Sequence, residues 1–234
     1  MLLHLLRAQA TDGLAAMQAA HRDFSPFLVH FTSMAKMKPL SSLAASRNIV
    51  PREIKDLFET CDAACHSVFK CILDAGEIRT SLIRDAQGTL PVVCLSEGNL
   101  PGLVSHAERY GRFGFVFRKE ALFRLGARPC AYFDKKLYTE IKAQGKSPTA
   151  RDHDRRLYSL ANMFIPKCAK EPGFKPIDFT HEREWRSFEN IKLSSAVAVI
   201  CPDVYFSQTR EALDNAALQQ VKLFGLDMLI DWGA

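Results

Sequence analysis

Apolar residues early in the chain fall near helical spacing at Leu3, Leu6, Leu14 and Met17, with Asp12-Gly13 between them. They predict one or two helices in an extension over about residues 1–24. Ser25-Pro26 breaks that pattern, and Phe27-Leu28-Val29-His30-Phe31-Thr32 reads as a strand. The Ser-, Met-, Lys- and Ala-rich stretch that follows, as far as Arg47, suggests a helix, or a turn and a helix. From Glu53 to Ala75, Leu57, Phe58, Cys61, Cys65, Val68, Phe69 and Ile72 recur at intervals of three and four. This is the clearest helix in the sequence, and Gly76 is its natural stop. Leu90–Leu95 is a wholly apolar run that predicts a buried strand. Pro101–Tyr110 predicts a helix with proline in its first turn.

Further strands are predicted at Phe113–Phe117, Pro129–Phe133, Glu182–Phe188 and Ala196–Cys201. A short helix over Lys119–Leu125 ends at Gly126, and a helical tail covers about residues 208–222, ahead of Leu226–Trp232. Residues 134–170 are basic with helical patches, Gly145-Lys146-Ser147-Pro148-Thr149 reads as a mobile loop, and Pro172-Gly173 and Pro176 mark an extended one. Strands and helices alternate irregularly, without a Gly-x-Gly-x-x-Gly or Walker loop, which disfavours a doubly wound nucleotide fold. The expectation is one α+β domain over residues 1–234, a mixed sheet with helices around it.

Composition narrows the class. In 234 residues, 47% hydrophobic and 24% charged, usage is that of an ordinary globular chain rather than a disordered one. No apolar run approaches the ~20 residues that span a bilayer. The opening Met1-Leu2-Leu3-His4-Leu5-Leu6-Arg7 reads as the start of an amphipathic helix, not a signal peptide. Seven cysteines, an odd number without a Cys-x-x-Cys pair, suggest reduced thiols and a cytoplasmic setting. The net charge of +5 is mildly basic and fits a nucleic-acid or phosphate-bearing partner as well as others.

Five segments carry candidate chemistry. Cys61, Cys65, His66 and Cys71 lie on or near one helix, but Cys61 and Cys65 sit on its apolar stripe and read as small buried hydrophobes, so no metal is expected. His30 and Thr32 share one strand face. They are either a satisfied core pair or a hold on a ligand's ribose. In Thr180-His181-Glu182-Arg183-Glu184-Trp185-Arg186-Ser187, strand parity puts Glu182, Glu184 and Arg186 on one face, and Arg183, Trp185 and Ser187 on the other, with Trp185 entering the core. That is a salt-bridged edge strand, or a carboxylate held beside a reacting sugar. Ser96-Glu97 lines a strand exit or, the favoured reading, belongs to the cap of the next helix, with Ser96 or Asn99 as the capping residue. Lys135, Lys136, Lys142, Lys146, Arg151, Arg155 and Arg156 form a solvated helical face or, with Tyr132, Tyr138 and Tyr158 nearby, track a phosphate backbone and stack bases.

Val93-Cys94-Leu95-Ser96-Glu97, Leu100, His106, Tyr110-Gly111, Phe113-Gly114-Phe115 and Lys119-Glu120-x-Leu122 together resemble the central block of AbiGi-type abortive-infection proteins and of a related bacterial family of unknown function. Arg183-Glu184-Trp185-Arg186 is similar to their C-terminal signature, and His30-Phe31-Thr32 to their opening strand, over about residues 27–200. These families are distantly similar to ADP-ribosyltransferases of the DarT type, which modify nucleic acid. That resemblance implies a split, mostly antiparallel sheet and NAD as co-substrate. It implies catalytic roles for Glu184, His30 and Arg186, and a cofactor site of His30, Phe31, Thr32, Ser96, Tyr110 and Phe113. The Ser-Thr-Ser strand of many such enzymes has no match; Val92–Glu97 stands in its place.

The function expected is an NAD-dependent ADP-ribosyltransferase-like protein of phage defence or a toxin–antitoxin system, modifying nucleic acid or protein. The alternatives are a catalytically silent interaction module or antitoxin, and a nucleotide or RNA hydrolase using Glu182, Glu184 and His30. Expected partners are RNA or single-stranded DNA through Lys135, Lys136, Lys142, Arg151, Arg155 and Arg156, and a cognate toxin or antitoxin.

Overall fold

The structure, a computed structural model, describes residues 25–32, 51–82, 88–98, 106–107, 110–165 and 183–227, with the backbone alone for 51–61. The helical readings over 2–22 and 33–47, the loop through Pro172-Gly173 and Pro176, and Glu182 lie outside these residues.

Strand β1 (Phe27–Phe31) is followed by α1 (Pro51–Ala75), β2 (Glu77–Ile78), β3 (Val93–Ser96) and β4 (Gly114–Arg118). Next come α2 (Lys119–Arg124), β5 (Arg128–Pro129), β6 (Ala131–Phe133), α3 (Lys135–Lys146), α4 (Asp152–Leu160) and β7 (Ala161–Met163). The chain continues through β8 (Glu184–Ser187), β9 (Ile191–Lys192), β10 (Ala196–Cys201), α5 (Phe206–Asn215) and β11 (Lys222–Gly225). Among the described residues, seven strands form one mixed sheet in the order β11-β10-β4-β1-β3-β8-β5. Its pairs are antiparallel except β10 with β11, which α5 connects in parallel. The fold is α+β, as the irregular alternation predicted.

Alternation along the strands builds two unequal layers. Leu28, Leu95, Phe115, Phe117 and Val199 point to one face and are buried under α1, whose Phe69 ring lies 4.7 Å from that of Phe115. The opposite face carries a smaller cluster of Val29, Phe31, Ala107, Ile200 and Leu226. Gly76, at φ 66°, ends α1 where the sequence placed its stop. Gly111, at φ 118°, lets the chain pass against β1: a Cβ there would stand 2.3 Å from the Thr32 carbonyl oxygen.

One junction shapes the site. β1 pairs with β4 over five registered positions but with β3 only at Val29↔Ser96. The sheet therefore opens between β1 and β3.

Four expectations need correction. Pro129–Phe133 is two strands in two sheets, because Cys130 N–H still donates to Glu184 O at 2.7 Å and the chain then leaves to form a parallel pair, β6 with β7. Gly145 and Lys146 are helical rather than loop. The Tyr158 side chain packs where a Cβ of Gly145 would stand, and the turn starts only at Ser147. The strand expected from Glu182 begins at Glu184, after Arg183 at φ 40°. The expected tail helix spans only Phe206–Asn215; residues 216–221 turn, and the chain then enters the strand β11, which a short Leu223-Phe224 run did not announce.

Candidate functional site

Cys94 and Ser96 on β3 stand directly across from Arg186 and Glu184 on β8, so the pleat gathers all four on one face. Between β5 and β8 the chain makes a βααβ unit, β6–α3–α4–β7, with its own small core of Ile141, Tyr158 and Ala161. β7 delivers Asn162 onto the same face.

Arg186 is the hub. Its Nε donates to Glu184 Oε1 at 2.8 Å, and one terminal nitrogen donates to Glu184 Oε2 at 3.0 Å and to Asn162 Oδ1 at 2.9 Å. The other terminal nitrogen donates to the Ser159 carbonyl. Asn162 Nδ2 donates to Glu184 Oε2 at 2.9 Å, and Glu184 N–H donates to the Tyr132 hydroxyl at 3.3 Å. Arg186 is buried and Glu184 largely so, with side-chain exposures of 6% and 13%. Burial pushes the Glu184 carboxyl up. The charge of Arg186, with hydrogen bonds from Arg186, Asn162 and Cys94, outweighs it and holds the group below its ordinary value. The Cys94 thiol is pushed up to about 12 by burial and by the Glu184 charge beside it, so it stays a thiol.

These side chains form one wall of a cleft of about 780 Å³ at the opening between β1 and β3. His30, Tyr110, Ser96, Cys94, Asn162, Glu184 and Arg186 all line it, and Val68, Cys71 and Ile72 of α1 close another side. His30 bridges the opening: its Nδ1 donates to the Cys94 carbonyl at 2.8 Å, which fixes the tautomer. Burial lowers its pKa more than that bond raises it, so the ring is neutral at neutral pH.

Of the expected site, Glu184, Arg186, His30, Ser96 and Tyr110 thus come together, and Phe31 and Thr32 reach the same cleft. The Thr32 hydroxyl, however, is buried and donates to the carbonyls of Phe113 at 3.3 Å and Cys65 at 3.5 Å. Phe113 is fully buried against Phe69, His66 and Tyr205 and does not line the cleft. Its ring is committed to the core, so Phe113 leaves the expected cofactor set while Tyr110 lines the cleft. Trp185 enters the other face as parity predicted, and its indole N–H donates to Glu97 at 2.8 Å.

Glu97 also accepts from Lys119 at 2.7 Å and is buried, so it anchors the start of α2; Asn99 and the start of the helix expected from Pro101 lie outside the described residues. Cys65 is buried as its stripe implied. The basic residues lie on and between α3 and α4, where Lys136, Arg151 and Arg156 are exposed and Arg156 stacks 5.2 Å from the Phe188 ring. Tyr158 is fully buried between those helices, with half-buried Tyr138 edge-on to it, so of the three tyrosines Tyr158 is not placed to stack on a base. Sequence reasoning missed Asn162, Ser159 and Cys94, because a neutral side chain and a carbonyl far along the chain give no local signal.

No helix among the described residues is long and apolar enough to cross a membrane. Fold and site together define an α+β protein whose cleft is walled by a buried, fully hydrogen-bonded ion pair. The chain belongs to the AbiGi family, described as "Putative abortive phage resistance protein AbiGi, antitoxin", which residues 77–228 match. No curated protein and no solved structure matches the chain.

Proposed function

We propose that this protein is an antitoxin-type binding module of an abortive-infection system that acts by contact with a cognate toxin. The observation that carries this reading is the commitment of Glu184. Both of its oxygens accept from Arg186, and one also from Asn162. A carboxylate placed to stabilise a sugar cation needs its charge directed at the substrate. Here the charge is spent on a neighbouring guanidinium, which suits a group that fixes architecture. The family description supports the same reading.

A second reading, an NAD-dependent ADP-ribosyltransferase, is favoured by the cleft that brings His30, Ser96, Tyr110 and Glu184 together.

One experiment separates them. The purified protein is incubated with labelled NAD and separate pools of DNA, RNA and protein, and is co-expressed with the cognate toxin. The expected result is silence with NAD and restored growth with the toxin. Label transfer that Glu184→Gln abolishes would establish the second reading. Consumption of NAD without transfer would point to a hydrolase.

A further inference from the structure

At the far edge of the sheet, the corner formed by α2 and β5 exposes an apolar surface that the core does not use. Phe123 and Leu125 are 48% and 55% exposed, and Arg128 and Pro129 beside them are exposed as well. The Arg128 guanidinium lies 4.2 Å from the centre of the Phe123 ring and donates to the carbonyls of Phe123 and Ala127, both at 2.8 Å.

The corner is held rigidly. Ala127 N–H donates to Leu122 O at 2.9 Å and Gly126 N–H to Phe123 O at 3.1 Å, with Gly126 at φ 96°. This is a Schellman closure, and its usual apolar contact is made by buried Leu122 and Ala127. Phe123 and Leu125 are therefore presented outward from a fixed turn. A preorganised surface loses little entropy on binding. Aromatic, arginine and aliphatic side chains in one rigid patch are the composition of an interface centre.

We propose that this corner is the docking surface for the partner protein, and that the partner offers an apolar pocket rimmed by carboxylates. Charge decides the occupant. Along residues 118–128 the exposed charges are Arg118, Arg124 and Arg128 against Glu120, which pairs with Arg124, so the patch keeps a positive excess. A second copy meeting the same patch would set like charges together. A nucleic-acid backbone would use the arginines but leave Phe123 and Leu125 without a counterpart. Strand addition is also disfavoured: β5 is two residues long and Pro129 has no N–H. The partner is held by side chains.

This inference rests on the antitoxin reading, and the test keeps the two apart. Leu125→Asp and Arg128→Glu are compared with wild type by calorimetric titration of the purified cognate toxin, with thermal unfolding as the control for folding. Leu125→Asp is the decisive variant, because the Arg128 bonds also close the turn. The expected result is binding by wild type, weakened at least about 30-fold by Leu125→Asp with melting unchanged. Wild-type binding that Leu125→Asp leaves intact overturns the docking surface and spares the antitoxin reading. No binding by wild type overturns both. Sedimentation that finds a wild-type dimer dissolved by Leu125→Asp makes the occupant a second copy and overturns the partner. An RNA oligomer bound by wild type and lost in Arg128→Glu does the same.

Discussion

Glu184 and Arg186 stand two residues apart on one face of β8 and meet through two hydrogen bonds, at 2.8 and 3.0 Å. The pair is largely withdrawn from solvent, and the remaining donors of Arg186 reach the βααβ unit at Ser159 and Asn162. One guanidinium thus joins the edge of the sheet to a unit inserted between two of its strands.

Arg186→Met should destabilise the fold by about 3–5 kcal/mol, because it strands a buried carboxylate. The double variant with Glu184→Gln should recover part of the loss. Urea unfolding of the three proteins measures this, and a cost for Arg186→Met below about 1 kcal/mol would mean that the Glu184 charge is solvated.

The same pair sets a pH dependence. The native carboxyl of Glu184 titrates below its ordinary value of 4.5, so the unfolded chain takes up the proton first as pH falls. Its contribution is present above that value and is lost as pH drops through the lower native one. Urea midpoints from about pH 7 to about pH 3 should fall less steeply for Glu184→Gln than for wild type. Parallel curves would remove Glu184 from the acid response.

Asn162→Ala removes a donor to Glu184 and an acceptor for Arg186. A loss of about 2 kcal/mol is expected, since bonds to charged groups are the stronger kind. Hydrogen exchange should accelerate at β6 and β7 more than at β1 and β4. Uniform acceleration would show that the βααβ unit does not open separately.

Gly145→Ala tests the packing of α3 on α4. Alanine gains about 1 kcal/mol in helix propensity. Its Cβ, however, would stand 2.7 Å from Tyr158 Cβ, a part of the side chain that cannot swing away. Overpacking of this kind costs about 1–3 kcal/mol, so the variant should melt earlier than wild type. A higher melting temperature would mean that the two helices separate easily.

Burial of Tyr158 limits what the basic hairpin can do with nucleic acid. With Tyr158 withdrawn and Tyr132 and Tyr138 half-buried, binding by Lys135, Lys136, Lys142, Arg151, Arg155 and Arg156 rests on the phosphate backbone. Anisotropy should find at most weak, salt-sensitive binding, without a preference for single strands over duplex. The triple variant Arg151→Ala/Arg155→Ala/Arg156→Ala should flatten the salt slope. A single-strand preference that survives high salt would contradict this.

Period and composition determined β1, β3, β4, β8, β10 and α1, because these signals act within a few residues. Phe27–Phe31 and Ala196–Cys201 could hardly read otherwise, and the parity of Glu184, Trp185 and Arg186 followed from the pleat alone. What each face meets was decided only in three dimensions. Arg186 finds its partners 24 and 27 residues away, on an inserted unit whose position no local pattern encodes. Phe113 belongs to the core rather than the cleft because α1 and Tyr205 pack over it. Thr32 looked like a ligand hydroxyl, but it is buried and donates to the carbonyls of Cys65 and Phe113. A strand's sequence sets which side chains share a face; the elements packed against that face determine whether those side chains are free to act.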